Sequence, residues 1–353
     1  VSPDFQVAPA SGAVFAGTEG AGLYRSMDGG KSWQALTSFP GISSDLTQVS
    51  VNTLFFDSKG VLYAGTSGQG ILASADLGET WRSLLQIDDV ILRLAGHGTR
   101  LLAGALEHGL LVSNDDGETW QIVEELSARQ VTQMAALAHR QAGAAFLAAG
   151  YVEGAWVYTP TAMNATGEWQ RIGEPGAIDQ PIIALQAAHG AAQKRFLALS
   201  SNYLKAAHDP QQDWTTLFES SNRLTTLACS GEEIYLGSLN GEIWHSPDGG
   251  AGWEKLPAPW RNARILALQV RQSSPHLLTI YAVTGMEGDG MMALWRTEST
   301  RIDWKPLYQE RANGLPASLV LLPAAAGSPS DQDILLAAGT EIFIPGQNDW
   351  RRQ

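Results

Sequence analysis

This sequence predicts an all-β fold of repeated four-stranded antiparallel units. Three observations carry the prediction: similar segments recur along the chain, tryptophans recur every 39 to 51 residues, and the composition suits many short buried strands. Of 353 residues, 44% are hydrophobic and only 17% charged, with 37 glycines and 12 tryptophans. That balance fits strands joined by tight turns rather than a disordered chain.

Four segments align closely: AVFAGTEGAGLYRSMDGGKSWQAL from Ala13, VLYAGTSGQGILASADLGETWRSL from Val61, RLLAGALEHGLLVSNDDGETWQIV from Arg100 and EIYLGSLNGEIWHSPDGGAGWEKL from Glu233. Each reads as a strand, a glycine-containing turn, a strand, a second turn, and a strand opened by tryptophan. An apolar run precedes each unit, as in VNTLFF at Val51, ILRLAG at Ile91 and RLTTLA at Arg223, which makes four strands per unit. Weaker copies are placed by their closing tryptophans. The full series is Trp33, Trp81, Trp120, Trp169, Trp214, Trp253, Trp304 and Trp350, spaced 39 to 51 residues apart. This period is that of one propeller blade, and it is too irregular and strand-rich for a helical solenoid. The expectation is a single closed β-propeller over residues 1–353, of eight blades with seven as the alternative. The approximate blades are 1–37, 48–86, 90–125, 130–173, 181–219, 222–257, 263–308 and 317–353. Each unit begins with its own innermost strand, so closure without strand exchange is expected.

Between the third and fourth strands stand SMDGGKSW, SADLGETW, SNDDGETW and SPDGGAGW. An aspartate at the start of a tight turn accepts backbone N–H groups ahead of it, and glycine supplies the left-handed residue. Ser26, Asp28, Gly30 and Trp33 form the first set. Ser74, Asp76, Gly78 and Trp81, then Ser113, Asp115, Gly117 and Trp120, then Ser246, Asp248, Gly250 and Trp253 form the others. All are read as structural. With this pattern the chain resembles the Asp-box (BNR) repeat superfamily of sialidases, xyloglucan-cleaving glycosidases, sortilin-type receptors and photosystem II stability or assembly factors. The last copy departs at Gly252, where Ser or Thr is usual, and four units have lost the box.

Residues that break the repeat are the candidates for function. Trp156, Trp244 and Trp295 align with Tyr24 of the first unit and are packing residues, whereas Trp260 has no repeat equivalent. It sits in PAPWRNAR with Arg261 and Arg264, where it either stacks on a ligand or fills the gap between blades. The loop GMEGDGMM from Gly285 brings Glu287, Asp289, Met291 and Met292 to the same rim. Neighbouring loops add Asn240, Tyr203, Tyr151, Glu153, Glu107 and His108. This rim is the expected binding site, against the plainer reading of a solvated edge.

Several chemistries are disfavoured. The net charge of −13 opposes a phosphate-tracking nucleic-acid partner. No stretch approaches the roughly 20 apolar residues of a membrane span. The lone Cys229 is read as a core residue, and a monomer is expected. GTEGAG, GTSGQG and GMEGDG join strands rather than open helices, so they are not read as phosphate loops. His97, His139 and His189 fall in inner turns of successive units, without metal-ligand spacing; no metal and no cofactor is expected. Asn164-Ala165-Thr166 fits a glycosylation sequon, and a chain opening at Val1 favours a secreted or periplasmic compartment.

The resemblance to sialidases implies an arginine triad, for which Arg93, Arg129, Arg223, Arg264 and Arg311 stand near the starts of inner strands. Those enzymes have six blades and an Arg-Ile-Pro signature that this chain lacks. The xyloglucan-cleaving relatives imply a carboxylate pair between two propellers, and this chain is long enough for one. No catalytic residue maps from either. The expected function is a non-catalytic binding or assembly scaffold for a protein or carbohydrate ligand, with a glycoside hydrolase as the alternative.

Overall fold

The computed structural model describes residues 4–9, 11–36, 49–124, 130–139, 143–150, 155–158, 169–171, 181–189, 194–208, 214–274, 276–286, 291–311, 317–322, 334–338, 341–345 and 350–352. Every regular element among them is a strand, and the strands form four-stranded antiparallel sheets whose members are consecutive in sequence. Two compact units divide the chain, residues 3–185 and 186–353.

The first unit holds β1–β4 (Asp4–Val7, Val14–Gly17, Leu23–Ser26, Gln34–Leu36), β5–β8 (Val51–Phe56, Leu62–Thr66, Ile71–Ser74, Arg82–Leu85) and β9–β12 (Ile91–His97, Arg100–Ala105, Leu110–Ser113, Gln121–Ile122). After them come β13–β16 (Val131–His139, Gly143–Gly150, Ala155–Tyr158, Trp169–Arg171). The unit boundary falls inside β17 of the next sheet, β17–β20 (Ile182–His189, Lys194–Ser200, Tyr203–Ala207, Thr215–Glu219). The second unit continues with β21–β24 (Leu224–Ser230, Glu233–Ser238, Ile243–Ser246, Glu254–Lys255) and β25–β28 (Ala263–Ser274, Leu277–Met286, Met291–Glu298, Arg301–Arg311). It ends with β29–β32 (Ala317–Leu321, Ile334–Ala338, Glu341–Pro345, Trp350–Arg352).

The expectation of one closed ring of eight, or seven, blades is corrected here. Six blades are defined through side chains in all four strands, those that begin at β1, β5, β9, β17, β21 and β25. The sheets β13–β16 and β29–β32 are defined chiefly by their backbone pairing, and the chain divides into two units rather than one closed count. The physical reason is that tryptophans count hairpin corners, whereas closure depends on the angle between neighbouring sheets, which arises from strand twist and packing. The first blade does use its own inner strand, since Asp4–Val7 pairs with Val14–Gly17.

The core lies between successive blades. One buried cluster joins Phe15, Leu23 and Leu36 to Val51, Leu54 and Trp81, and another joins Tyr235 and Ile243 to Ile265, Ile280 and Trp304. Repeated glycines make this packing possible. A Cβ on Gly104 would lie 2.4 Å from Val131 O, and one on Gly237 would lie 2.6 Å from Ile265 Cγ2, so the second strand meets the next blade without a side chain. In the turns, Gly78 has φ +87° and faces Leu36 of the preceding blade, while Gly250 faces Leu217 in the same way. Those glycines therefore serve both a left-handed turn and a close approach.

Inner strands also link blades through side chains that bond to the next inner strand's backbone. Asp4 Oδ2 accepts the Leu54 N–H at 2.7 Å, and Arg93 Nε donates to Thr132 O at 3.2 Å. Gln186 donates to Leu227 O, Thr225 to Ile265 O and Arg271 to Leu322 O. A sheet edge left unpaired by its neighbour is thus satisfied by polar side chains.

Candidate binding site between blades β21–β24 and β25–β28

The four aspartate turns share one geometry. Ser74 Oγ donates to Asp76 Oδ1 and accepts the Gly78 N–H, both at 2.8 Å. Asp76 in turn accepts the Thr80 N–H at 2.8 Å and the Thr80 hydroxyl at 2.5 Å. The same set recurs around Asp28 and Asp115. At Asp248 the Gly252 N–H is held at 2.9 Å, and Gly252 has no hydroxyl to offer. The hydroxyl and N–H of Thr119, then Ser113, hold the Asp115 carboxyl down at about 2. Each carboxylate is thus occupied within its own turn. The tryptophans close the corner: Trp81 Nε1 donates to Gly78 O at 3.0 Å, and Trp120 Nε1 to Gly117 O at 3.1 Å.

The Gly-rich loops are likewise turns between strands. Thr18 and Thr66 each donate N–H and hydroxyl to the carbonyl of Gly22 and Gly70, so the loop closes on itself.

The blade β25–β28 departs from this plan. A bulge recurs near the start of inner strands, between Val51 and Thr53 and between Leu224 and Thr226. In β25 it lies between Ile265 and Ala267, and pairing runs on past it through Arg264↔Gly285 and Ala263↔Met286. Two additional residue pairs therefore carry the ends of β25 and β26 beyond those of β21 and β22.

Trp260 stands against that extension. Its ring lies 5.3 Å from Trp295 and 5.2 Å from Trp304, tilted at 52° and 64°. Its Nε1 donates to Gly241 O at 2.8 Å, and a Cβ on Gly241 would meet Ala263 O at 2.5 Å. Trp260 thus fills the gap between blades while keeping part of its surface open. That open part forms one wall of a pocket of about 330 Å³. Met286, Met291 and Met292 line it with Thr284 and Trp295, and the Thr284 hydroxyl already accepts the Trp295 N–H at 2.9 Å. Arg261, exposed, is the single charged residue of the described lining.

Of the rim residues expected from sequence, Trp260 and Arg261 come together in this pocket, and Arg264 stands next to it, on β25. Asn240 is exposed in the adjoining turn, where it accepts the Ser238 hydroxyl at 2.6 Å. Tyr203 is buried, 8% exposed. Tyr151, Glu153, Glu287 and Asp289 lie outside the described residues, as do Asn164 and Arg129. Arg311 ends the outermost strand β28, not the approach to an inner strand. In the first unit His108 Nδ1 lies 2.8 Å from the buried Asp89, which also accepts the Val90, Glu107 and His108 N–H groups. Burial raises the Asp89 carboxyl, but the His108 ring and these backbone donors outweigh it and hold it below the usual carboxylate range. Asp89 therefore pins a loop.

Met286, Thr284 and Gln309 belong to the pocket without having been singled out in the sequence. The available signal was the length of the apolar runs flanking the loop, since LLTIYAVTGM exceeds its counterpart EIYLGS. Among the described residues no group of three His, Cys, Asp or Glu side chains could hold a metal ion. The pocket's described lining contains neither carboxylate nor histidine nor cysteine. Its described lining can desolvate an apolar group beside one cation.

No protein-family profile matches the chain, and no curated protein does. Solved structures do. Sqt1 of Saccharomyces cerevisiae superposes with a TM-score of 0.66 at 13% identity, over 96% of this chain and 92% of its own. YCF48 from Cyanidioschyzon merolae gives 0.54 at 12% identity, over 83% and 94%. The GH74 xyloglucanase from Xanthomonas campestris gives 0.56 at 18% identity, over 99% of this chain and 53% of the enzyme. The chain spans about half the length of the GH74 enzymes it matches, 46% of one and 53% of the other. At such identities the likeness is one of fold. The chain is an all-β protein with the four-stranded antiparallel blades of a β-propeller.

Proposed function

We propose that this chain is a non-catalytic binding or assembly scaffold that takes a protein or carbohydrate ligand at the junction of blades β21–β24 and β25–β28. One observation carries the reading: among the described residues, the pocket beside Trp260 combines apolar walls with a single cation and contains no acid–base pair. The four aspartate turns, whose carboxylates are occupied locally, support a place among Asp-box repeat proteins with the boxes as corner supports. Neighbours of the same fold include both a xyloglucanase and YCF48, the latter also solved bound to D1 peptide. Fold alone does not decide between them.

The test is a paired screen for turnover and binding. Fluorogenic sialosides and xyloglucan oligosaccharides should show no hydrolysis above buffer, while peptide or glycan arrays should yield a ligand whose binding is lost in Arg261→Glu. Hydrolysis abolished by Glu107→Gln or Glu287→Gln would establish a glycosidase instead.

A further inference from the structure

Resting on that reading, we infer that the pocket takes a bulky apolar side chain of an extended peptide, with one carboxylate of the same peptide set against Arg261. The lining argues against a sugar. Carbohydrate recognition needs an open aromatic face and a set of free polar groups. Here the Trp260 ring is packed against Trp295 and Trp304, and its N–H is held by Gly241 O. The Thr284 hydroxyl is engaged by Trp295, and three methionines line the walls, with Gln309 the one amide side chain among the described lining.

Volume and chemistry point the same way. At about 330 Å³ the pocket lies at the small end of the roughly 300–1,000 Å³ typical of ligand sites. That is room for one large side chain rather than an oligosaccharide. Methionine is unbranched and polarizable, so such walls adapt to leucine, methionine or phenylalanine alike. Among the described lining residues Arg261 is the only charge, in a chain whose net charge is −13. It complements a carboxylate close to the anchor, whereas a longer acidic run would be repelled by the remainder of the chain.

The probes are fluorescein-labelled decapeptides of Ser-Gly repeats carrying Asp-Leu, Lys-Leu or Asp-Ser at the centre, read by anisotropy alongside a xyloglucan and sialoside glycan array. The Asp-Leu peptide should bind about tenfold or more tightly than either other peptide. Arg261→Glu should reverse the preference to Lys-Leu, and Met291→Glu should abolish binding with the melting temperature unchanged. Equal binding of all three peptides, or none by any, overturns the inference. Glycan binding lost in Met291→Glu also overturns it, yet leaves the scaffold reading standing; glycan hydrolysis would remove both.

Discussion

At Gly252 the fourth aspartate turn lacks the hydroxyl that its counterparts supply, and Asp248 Oδ2 lies 3.2 Å from where a Cβ would stand. In the intact turns Ser32, Thr80 and Thr119 each give a hydroxyl to the second carboxylate oxygen. Gly252→Thr should therefore stabilise the protein by roughly 0.5–1 kcal/mol, from one hydrogen bond and a less flexible unfolded chain. Urea unfolding reads it; a lowered midpoint would show that the added methyl is not accommodated. Aspartates also differ in how pH acts on them. Burial, partly offset by the Leu54 N–H and the Arg93 charge, pushes the Asp4 carboxyl up from 3.8. The folded chain then holds that proton more tightly than the unfolded one, so stability falls as pH rises through the raised value. Asp4→Asn keeps an acceptor for Leu54 and removes the ionisation, so its advantage over the parent in urea midpoint should grow from pH 4 to pH 7. Asp115 behaves oppositely, its pKa lowered to about 2, with its contribution complete above the ordinary range and lost as pH falls towards that value.

Among elements, the blade was legible because its parts obey local rules. The marker tryptophans open or immediately precede fourth strands in most units, as Trp81 does before Arg82–Leu85, although Trp304 stands within β28. The second-strand glycines have a reason that no local rule exposes: they face the next blade. Gly237→Ala should cost about 1–3 kcal/mol, because Ile265 and Thr226 methyls lie 2.6 and 2.7 Å from the new carbon. Differential scanning calorimetry checks it, and an unchanged melting temperature would mean that the sheets separate freely. Trp260 was legible as a residue that breaks the repeat. The pocket beside it was not, since it depends on pairing that continues past a bulge in β25, and register beyond a bulge leaves no mark in residue type.

For the whole molecule, sequence gave the repeat and overreached on closure, because the angle between sheets is a property of packing rather than of any one unit. Charge, by contrast, is read directly from composition. A net charge of −13 with a pI near 4.9 implies self-repulsion in the compact state. Raising ionic strength from about 10 to about 150 mM shortens the Debye length from about 30 to about 8 Å and should raise the melting temperature by a few degrees. A decrease would mean that attractive pairs such as Arg82–Glu118 outweigh the repulsion. Among the described residues no helix is long and apolar enough to cross a membrane.

The glycines of β2, β6, β10 and β22 wait for a neighbour that lies further along the chain. Gly17 meets Val51, Gly65 meets Ile91, Gly104 meets Val131 and Gly237 meets Ile265. A nascent polypeptide leaving the ribosome would thus offer the repeats that follow these strands a docking slot already in place. Synthesis itself could order the assembly, with less time for half-made sheets to find the wrong mate.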